Sequence, residues 1–155
     1  MNVTEEVLLG ATIFLANEIS WYLLRTNRVL KAIELSKEQL FLLDHKSLKH
    51  AEKELVVSAK LEPYVKIYFG YSRTNQTRLA IDSGRKLLDL TRQINWREAE
   101  GVVTLQLAQF YLNDCDVNEA KEFGIKALSI AKETGRKEDE MQLLCCATTY
   151  LYWPR

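Results

Sequence analysis

The sequence predicts an all-α protein in which antiparallel helical hairpins stack side by side as an α-solenoid. The chain has only 6 glycines and 2 prolines in 155 residues, whereas the tight turns of sheet proteins use both residue types heavily. Apolar residues recur at the helical period along almost the whole chain. Residues 118–135, NEAKEFGIKALSIAKETG, echo residues 78–95, RLAIDSGRKLLDLTRQIN, at an interval of forty. One helical hairpin per interval of that size is typical of a solenoid.

The first predicted helix opens with Asn2-x-x-Glu5, a capping box. Residues 7–24 are apolar on almost every side, so this helix needs neighbours on more than one side. A membrane span is the alternative, but Asn17 and Glu18 stand near the middle of the run, where a carboxylate is costly in hydrocarbon. Acidic rather than basic residues precede the run, which argues against a signal sequence. We therefore expect a helix buried among other helices, and no membrane association.

A second helix is predicted over about residues 28–43, and a third apolar stripe follows it. Pro63 suits the first turn of a helix, because its missing N–H is not needed there. It therefore separates the third helix from a fourth, over residues 63–73. One long helix kinked near Glu62 is the alternative. The third stripe consists of Leu48, Ala51, Leu55 and Ala59.

Four further helices follow, joined by short links. Asn95-x-x-Glu98 and Asp116-x-x-Glu119 are capping pairs that each open a helix. Gly135 fits a left-handed cap at the end of the second of these. The four helices cover about residues 75–93, 95–113, 116–135 and 137–152, which brings the total to about eight helices in four antiparallel hairpins.

The repeat becomes explicit when residues 80–112 are placed over residues 120–152. Gly84 then falls on Gly124. A glycine inside a helix costs about 1 kcal/mol relative to alanine, so two copies at the same place indicate a close approach of helices. The same offset pairs Ala80 with Ala120, Lys86 with Lys126, Leu88 with Leu128, and Glu98 with Glu138.

Each copy of the repeat carries a similar run of apolar and small residues. The copies are Tyr64-x-x-Ile67-Tyr68-x-x-Tyr71 followed by Ala80, Thr104-x-x-Leu107-Ala108-x-x-Tyr111 followed by Ala120, and Leu144-x-x-Ala147-Thr148-x-x-Leu151. The pattern resembles the tetratricopeptide repeat (TPR) over roughly residues 60–152. That repeat is usually about 34 residues long, so an interval of forty resembles its longer-helix variant. Glycine stands at positions 84 and 124 where the family pattern has a bulky phenylalanine.

The resemblance implies a right-handed solenoid in one domain, residues 1–155. Residues 1–60 would form helices without a legible repeat, and residues 61–152 would form TPR-like repeats, of which the last is incomplete. Tyrosines would fill the wedge between hairpins and alanines would let helices approach, namely Tyr71, Tyr111, Ala80, Ala108 and Ala120.

The composition excludes several classes of function. Basic and acidic residues number 21 each, so nothing attracts the whole protein to nucleic acid or to anionic membrane. The two histidines lack metal-binding spacing, and phosphate-loop and nucleophile motifs are absent, so we predict no enzyme, no metal and no cofactor. Three cysteines without a CxxC pair favour a reducing, cytoplasmic location. Asp114-Cys115-Asp116 is interpreted as a turn between helices.

In TPR folds the first helix of each hairpin lines a concave surface. The resemblance therefore implies a partner-binding groove with a mixed apolar and amide lining. Its residues are Val65, Phe69, Ser72 and Arg73 in one unit, Leu105, Gln109, Leu112 and Asn113 in the next, and Gln142, Cys145, Thr149 and Tyr152 in the last.

The sequence predicts a non-catalytic protein–protein interaction module of the scaffold or adaptor kind. An extended or helical peptide would lie in the groove, with Phe69 and Leu105 as apolar anchors and with Gln109 and Asn113 bonding its backbone. The alternative is a self-associating segment of a larger scaffold or regulatory protein, which would join copies through the apolar first helix or the unpaired last helix. The residues do not identify the partner.

Overall fold

The structure is a computed structural model that describes residues 3–44 and 53–138, and every regular element in those two ranges is an α-helix. The all-α prediction is confirmed for this part of the chain. The helices are α1 (Val3–Arg25), α2 (Val29–Leu43), α3 (Lys53–Arg73), α4 (Thr77–Gln93), α5 (Arg97–Asn113) and α6 (Val117–Thr134).

The described residues thus contain six helices, where about eight were predicted for the whole chain. Two of the predicted helices are parts of the one helix α3. Most of the predicted last helix, from residue 139 onward, lies outside the described residues. The same holds for Asn2 of the first capping box and for Leu48 and Ala51 of the third apolar stripe.

Pro63 lies inside α3 rather than at a helix start, so the predicted boundary between a third and a fourth helix is wrong. A proline inside a helix removes one backbone hydrogen bond and costs about 3 kcal/mol. Here Pro63 is itself fully buried, and α3 also buries Val57, Ile67 and Tyr68 on both sides of it. Burial of this apolar surface offsets the lost hydrogen bond. One continuous helix, the alternative to that boundary, is observed.

One turn geometry recurs throughout the described chain. The backbone φ is 56° at Asn75, 54° at Asn95, 62° at Cys115 and 70° at Gly135, so a left-handed residue occurs every twenty positions. Asn27, between α1 and α2, has a φ of 61°. Asparagine and glycine tolerate this conformation better than other residues.

The same two hydrogen bonds close each of these turns. At Asn75, its N–H donates to the carbonyl of Ser72 at 3.2 Å, and the N–H of Gln76 donates to the carbonyl of Tyr71 at 3.0 Å. This pair of bonds is the Schellman motif, which satisfies carbonyls left open at a helix end. The carbonyl of Gln76 also accepts from the N–H of Ala80 at 3.0 Å, which is the first hydrogen bond of α4. The forty-residue repeat therefore consists of two helix-and-turn units of twenty residues.

The predicted caps have different outcomes. The side chain of Asp116 accepts a hydrogen bond from the N–H of Glu119 at 3.2 Å, as predicted. Gly135 is the predicted left-handed cap of α6. Asn95 is not a cap: Trp96 occupies the N-cap position of α5 without a side-chain hydrogen bond. Asn95 instead supplies the left-handed turn residue, since asparagine suits both roles and the sequence pattern cannot separate them.

The chain forms two compact units, residues 1–90 and 91–155, with the boundary inside α4. In the first unit α2 packs against both α1 and α3, and α1 also touches α3. The part of α4 in this unit buries Ala80, Ile81, Leu87 and Leu88. In the second unit α5 packs against α6. The small and aromatic residues of the repeat pattern are buried, namely Ala80, Ala108, Ala120, Tyr71 and Tyr111.

Two glycines mark places where helices approach closely. A Cβ added to Gly70 of α3 would lie 2.5 Å from Cγ1 of Ile33 in α2. One added to Gly101 of α5 would lie 2.8 Å from Cγ2 of Ile130 in α6. The repeat pointed instead to Gly84 and Gly124, and no heavy atom of the described residues lies within 4 Å of a Cβ placed at Gly124. The close approach predicted there is therefore not found between the described helices.

Helix α1 buries one face only, so the prediction of a helix enclosed by its neighbours is wrong. The buried face carries Ala16, Ser20 and Leu24. The opposite face is open because α2 and α3 cover one side of the helix. By length and composition Val7–Arg25 could cross a membrane, which is a weak indication because core helices of soluble proteins meet the same criterion. The large apolar residues of the open face are Val7, Leu8, Phe14, Leu15, Ile19 and Tyr22, between 49% and 65% exposed.

Candidate partner-binding surfaces

The predicted groove residues of the first unit lie together on the last turns of α3. Phe69 is 41% exposed, which is unusual for a phenylalanine in a packed helix. Val65 and Ser72 are half-buried beside it, at spacings of four and three residues that share one helix face. The ring of Phe69 meets the ring of Tyr68 edge-on, with centroids 5.7 Å apart. This α3 face therefore offers an exposed aromatic side chain that contacts the ring of Tyr68.

Arg73, the fourth predicted residue of this group, has a role inside the unit. Its Nη1 donates a hydrogen bond to the carbonyl of Leu24 at 2.9 Å. That carbonyl belongs to the last turn of α1, where helix carbonyls lack partners within the helix. Arg73 thereby joins the end of α3 to the end of α1. A change at Arg73 would therefore alter the packing of α1 as well as any surface it forms.

The predicted groove residues of the second unit lie on α5 and differ in exposure. Leu105 is only 4% exposed, so it offers almost no surface to a partner. Gln109 and Leu112 are half-buried, and Asn113 is exposed at the end of the helix. The α5 face thus presents the amide groups of Gln109 and Asn113 beside half-buried Leu112, while Leu105 is turned into the core. The remaining predicted residues, Gln142, Cys145, Thr149 and Tyr152, lie outside the described residues.

A polar cluster between α1 and α3 was missed at the sequence level. Lys66 is fully buried, and its Nζ donates a hydrogen bond to Oδ1 of Asn17. The same Nζ lies 5.5 Å from the ring centroid of Trp21 and 3.7 Å from Oε2 of Glu62. Trp21 Nε1 donates to that carboxylate oxygen at 3.0 Å. Two features of the sequence could have indicated this cluster: Lys66 stands between two apolar residues of α3, and Asn17 interrupts an apolar stretch of α1.

The charge of Lys66 is shaped by its surroundings. Burial lowers the pKa of its ammonium group below the ordinary value of 10.5, because a charged group loses its hydration. The carboxylates of Glu62 and Glu18 act in the opposite direction without cancelling the effect of burial. A buried lysine of this kind is typical of a structural or a reactive position. Its contacts with Asn17, Trp21 and Glu62 join α1 to α3, so we assign it to the packing of these helices.

A second polar contact joins α2 to α1. Gln39, fully buried, donates from Nε2 to the carbonyl of Ile13 at 2.9 Å. Its Oε1, and the hydroxyl of buried Ser36 one turn earlier, have no hydrogen-bond partner within the described residues. Polar atoms buried in this way weaken the contact between α1 and α2. The buried face of α1 is thus held by the hydrogen bond from Gln39 as well as by apolar contacts, although the two unpaired polar atoms weaken it.

An ionic network stabilises the second unit. Glu100 accepts from Nε of Arg92 at 2.8 Å and from Nη1 of Arg97 at 2.7 Å, so both of its carboxylate oxygens are paired. Arg97 also donates to Oε2 of Glu133 in α6 at 2.6 Å. Burial pushes the pKa of the Glu100 carboxyl upward, but the hydrogen bonds and charges of the two arginines outweigh it and lower the pKa. The network fixes the start of α5 against the end of α6.

The described residues contain no group of three or more His, Cys, Asp or Glu that could hold a metal ion. Cys115 is exposed in the turn between α5 and α6, in agreement with the interpretation of Asp114-Cys115-Asp116 as a turn. Comparison with models of protein families and with curated proteins finds no match for this chain.

Proposed function

We propose that the protein is a non-catalytic interaction module built from helical repeats of the TPR-like, forty-residue kind, and that it acts in the cytoplasm as a scaffold or adaptor. The observation that supports this best is the same Schellman turn at residues 75, 95, 115 and 135. A chain that repeats one helix and one turn at a fixed interval is built like a solenoid, and solenoids serve mainly as extended binding surfaces.

The α3 face is the proposed apolar contact for the partner. Phe69 is exposed and flanked by half-buried Val65 and Ser72. Aromatic side chains in such settings contribute much of the energy of protein–protein contacts. We propose that an apolar side chain of an extended or helical peptide packs against Phe69.

On the second unit, the α5 face is proposed by itself as a polar contact for a peptide. Asn113 and Gln109 carry amide groups that can donate to and accept from a peptide backbone. Leu105 is not part of the proposed contact on α5, because its side chain is buried. Arg73 holds the end of α3 against the end of α1 in the first unit, and it is not part of the proposed partner contact.

The test uses a random peptide library displayed on phage, selected against the wild-type protein. We expect the selected peptides to bind Phe69→Asp at least about tenfold more weakly, because a charge would replace a buried aromatic contact. Asn113→Ala should weaken binding by a smaller factor. Phe41→Asp on α2 is the matched control, because Phe41 is 75% exposed and outside the proposed surface. Peptides that bind Phe69→Asp and Asn113→Ala as tightly as the wild type would contradict the proposal.

A second candidate function is self-association as a structural segment of a larger scaffold or regulatory protein. The open apolar face of α1 favours it, because six large apolar side chains are left in contact with water. Exposed patches of this kind commonly mark a protein–protein or membrane contact. This candidate does not exclude peptide binding, since α1 and the proposed peptide surface use different residues.

A further inference from the structure

The open face of α1 has the pattern of a helix–helix seam. Leu8, Leu15 and Tyr22 are seven residues apart, and Thr12 and Ile19 take the equivalent places between them on the same face. A spacing that averages 3.5 residues is the seam pattern of paired helices. α1 has 23 residues, which makes it about 34 Å long at about 1.5 Å per residue. A second helix of the same length could cover the whole seam.

The two ends of α1 carry opposite charges. Glu5 and Glu6 stand in its first turns, and Arg25 lies in its last turn. A parallel partner of the same sequence would place acid beside acid and base beside base. An antiparallel partner would place the acidic end of one helix beside the basic end of the other, and it would also align the helix dipoles favourably. The charges therefore select the antiparallel orientation for two copies of α1.

We propose that this face binds a second copy of the same chain, with the two α1 helices antiparallel and a two-fold axis near Phe14, the midpoint of Val3–Arg25. The pairing is isologous, so each copy contributes the same patch. This inference rests on the second candidate function, because it specifies the surface and the geometry of the self-association. It is independent of the proposed peptide surface on α3 and α5.

A lipid bilayer is the competing occupant of an apolar helix face. Glu18 is exposed between Leu15 and Tyr22, near the middle of Val7–Arg25, the stretch long enough to span. A carboxylate at that depth is costly in hydrocarbon. At the rim of a helix pair the same carboxylate stays in water beside the seam. The position of Glu18 therefore favours a second copy over a bilayer.

The experiment is disulfide cross-linking of single cysteine variants. The background carries Cys115→Asn, Cys145→Ser and Cys146→Ser, and asparagine is chosen at 115 because that residue has a φ of 62°. Leu15→Cys lies beside the proposed axis and should link to itself under mild oxidation. Leu8→Cys should not link to itself, because its two copies would be about 18 Å apart along the helices, beyond disulfide reach. A mixture of Leu8→Cys and Tyr22→Cys should form the mixed dimer.

Sedimentation equilibrium at micromolar concentration provides the second measurement. We expect a wild-type dimer whose dissociation constant rises about tenfold or more in Leu15→Asp. Leu30→Asp on α2 is the control, because Leu30 is also exposed but lies outside the seam. Glu5→Lys with Glu6→Lys should weaken the dimer, and addition of Arg25→Glu should restore it. Such rescue is expected only for the antiparallel orientation.

Each contrary outcome overturns a different statement. Self-linking of Leu8→Cys as readily as Leu15→Cys would overturn the antiparallel geometry in favour of a parallel pair. A wild-type dimer that Leu15→Asp leaves intact would overturn the α1 surface while the candidate function of self-association stands. A wild-type protein that is monomeric would overturn both the α1 surface and the candidate function of self-association. Co-sedimentation of that monomer with phosphatidylcholine vesicles, lost in Leu15→Asp, would assign the face to a membrane instead.

Discussion

Lys66 is the residue whose setting departs furthest from its type. A lysine side chain is rarely buried without a partner, and here Asn17 accepts its hydrogen bond while the Trp21 ring lies nearby. A single buried charge still costs hydration that these contacts restore only in part. The lowered pKa of Lys66 is the consequence. The long aliphatic stem of this side chain meanwhile fills space between α1 and α3.

We expect Lys66→Met to be neutral or stabilising at neutral pH, because methionine keeps the stem volume and removes the buried charge. Lys66→Ala should lower the free energy of unfolding by about 2 kcal/mol or more, because it leaves a cavity. Urea denaturation of the three proteins at pH 7 measures both effects. If Lys66→Met is as destabilising as Lys66→Ala, the ammonium group itself stabilises the unit.

Wild type and Lys66→Met should also differ in how their free energy of unfolding depends on pH, and the sign of this difference is defined. Between the lowered pKa of folded Lys66 and its ordinary value of 10.5, the unfolded chain binds a proton that the folded chain does not. The free energy of unfolding contributed by this group therefore rises with pH across that window. The burial of Tyr68 raises its pKa and gives an opposite trend above pH 10.0. The difference between wild type and Lys66→Met, measured at each pH, isolates Lys66.

The turns between the described helices each depend on the residue type at one position. Each of the five turns requires one residue with positive φ, and the chain supplies asparagine at three of them, glycine at one and cysteine at one. An L-residue pays about 1–2 kcal/mol for this conformation, and asparagine recovers part of it through local hydrogen bonds. Cys115 is thus the weakest choice among the five. The two hydrogen bonds of the turn hold it in place.

We expect Cys115→Gly to raise the free energy of unfolding by up to about 1 kcal/mol, because glycine adopts positive φ without strain. Cys115→Val should lower it by about 1–2 kcal/mol, since a branched Cβ is disfavoured there. The midpoints of urea denaturation, compared at equal slope, measure both changes. Cys115→Asn is the control, because asparagine already occupies the equivalent turns at 27, 75 and 95. Equal stability of the glycine and valine variants would show that this turn does not limit stability.

At the scale of the whole molecule, most contacts between the described helices join neighbours in sequence, and the smaller contact of α1 with α3 is the exception. α1 meets α2, α2 meets α3, and α5 meets α6. Residues 1–90 and 91–155 each form a compact unit. Local contacts allow segments of a chain to open separately.

We expect the two units to respond separately to changes at their close helix contacts. Gly101→Ala should speed amide hydrogen exchange in α5 and α6 more than in α2 and α3, because its methyl group would lie 2.8 Å from Cγ2 of Ile130. Gly70→Ala should do the reverse. Gly124→Ala is the control and should be neutral or stabilising by up to about 1 kcal/mol, since no described residue lies within 4 Å of the added Cβ. Equal acceleration in every helix would show that the chain opens as one cooperative unit.

The sequence by itself determined the features that depend on a few adjacent residues. Helical periodicity, the cap at Asp116 and the left-handed end at Gly135 follow from hydrogen bonds within one turn, so the pattern predicted them. The proposed surface on α3 came instead from the resemblance to the TPR, and it stays a prediction, although Phe69 is exposed. The close helix contact at Gly70 gave no such local signal.

Tertiary structure alone decided which neighbour each face meets. Whether Pro63 interrupts α3, whether Leu105 is buried, and which side of α1 stays open depend on contacts between helices, which the pattern of one helix does not contain. The partner of Lys66 lies 49 residues away in sequence. The free energy of burial is set by such distant contacts, and for that reason the local periodicity predicted the helices but not their exposed faces.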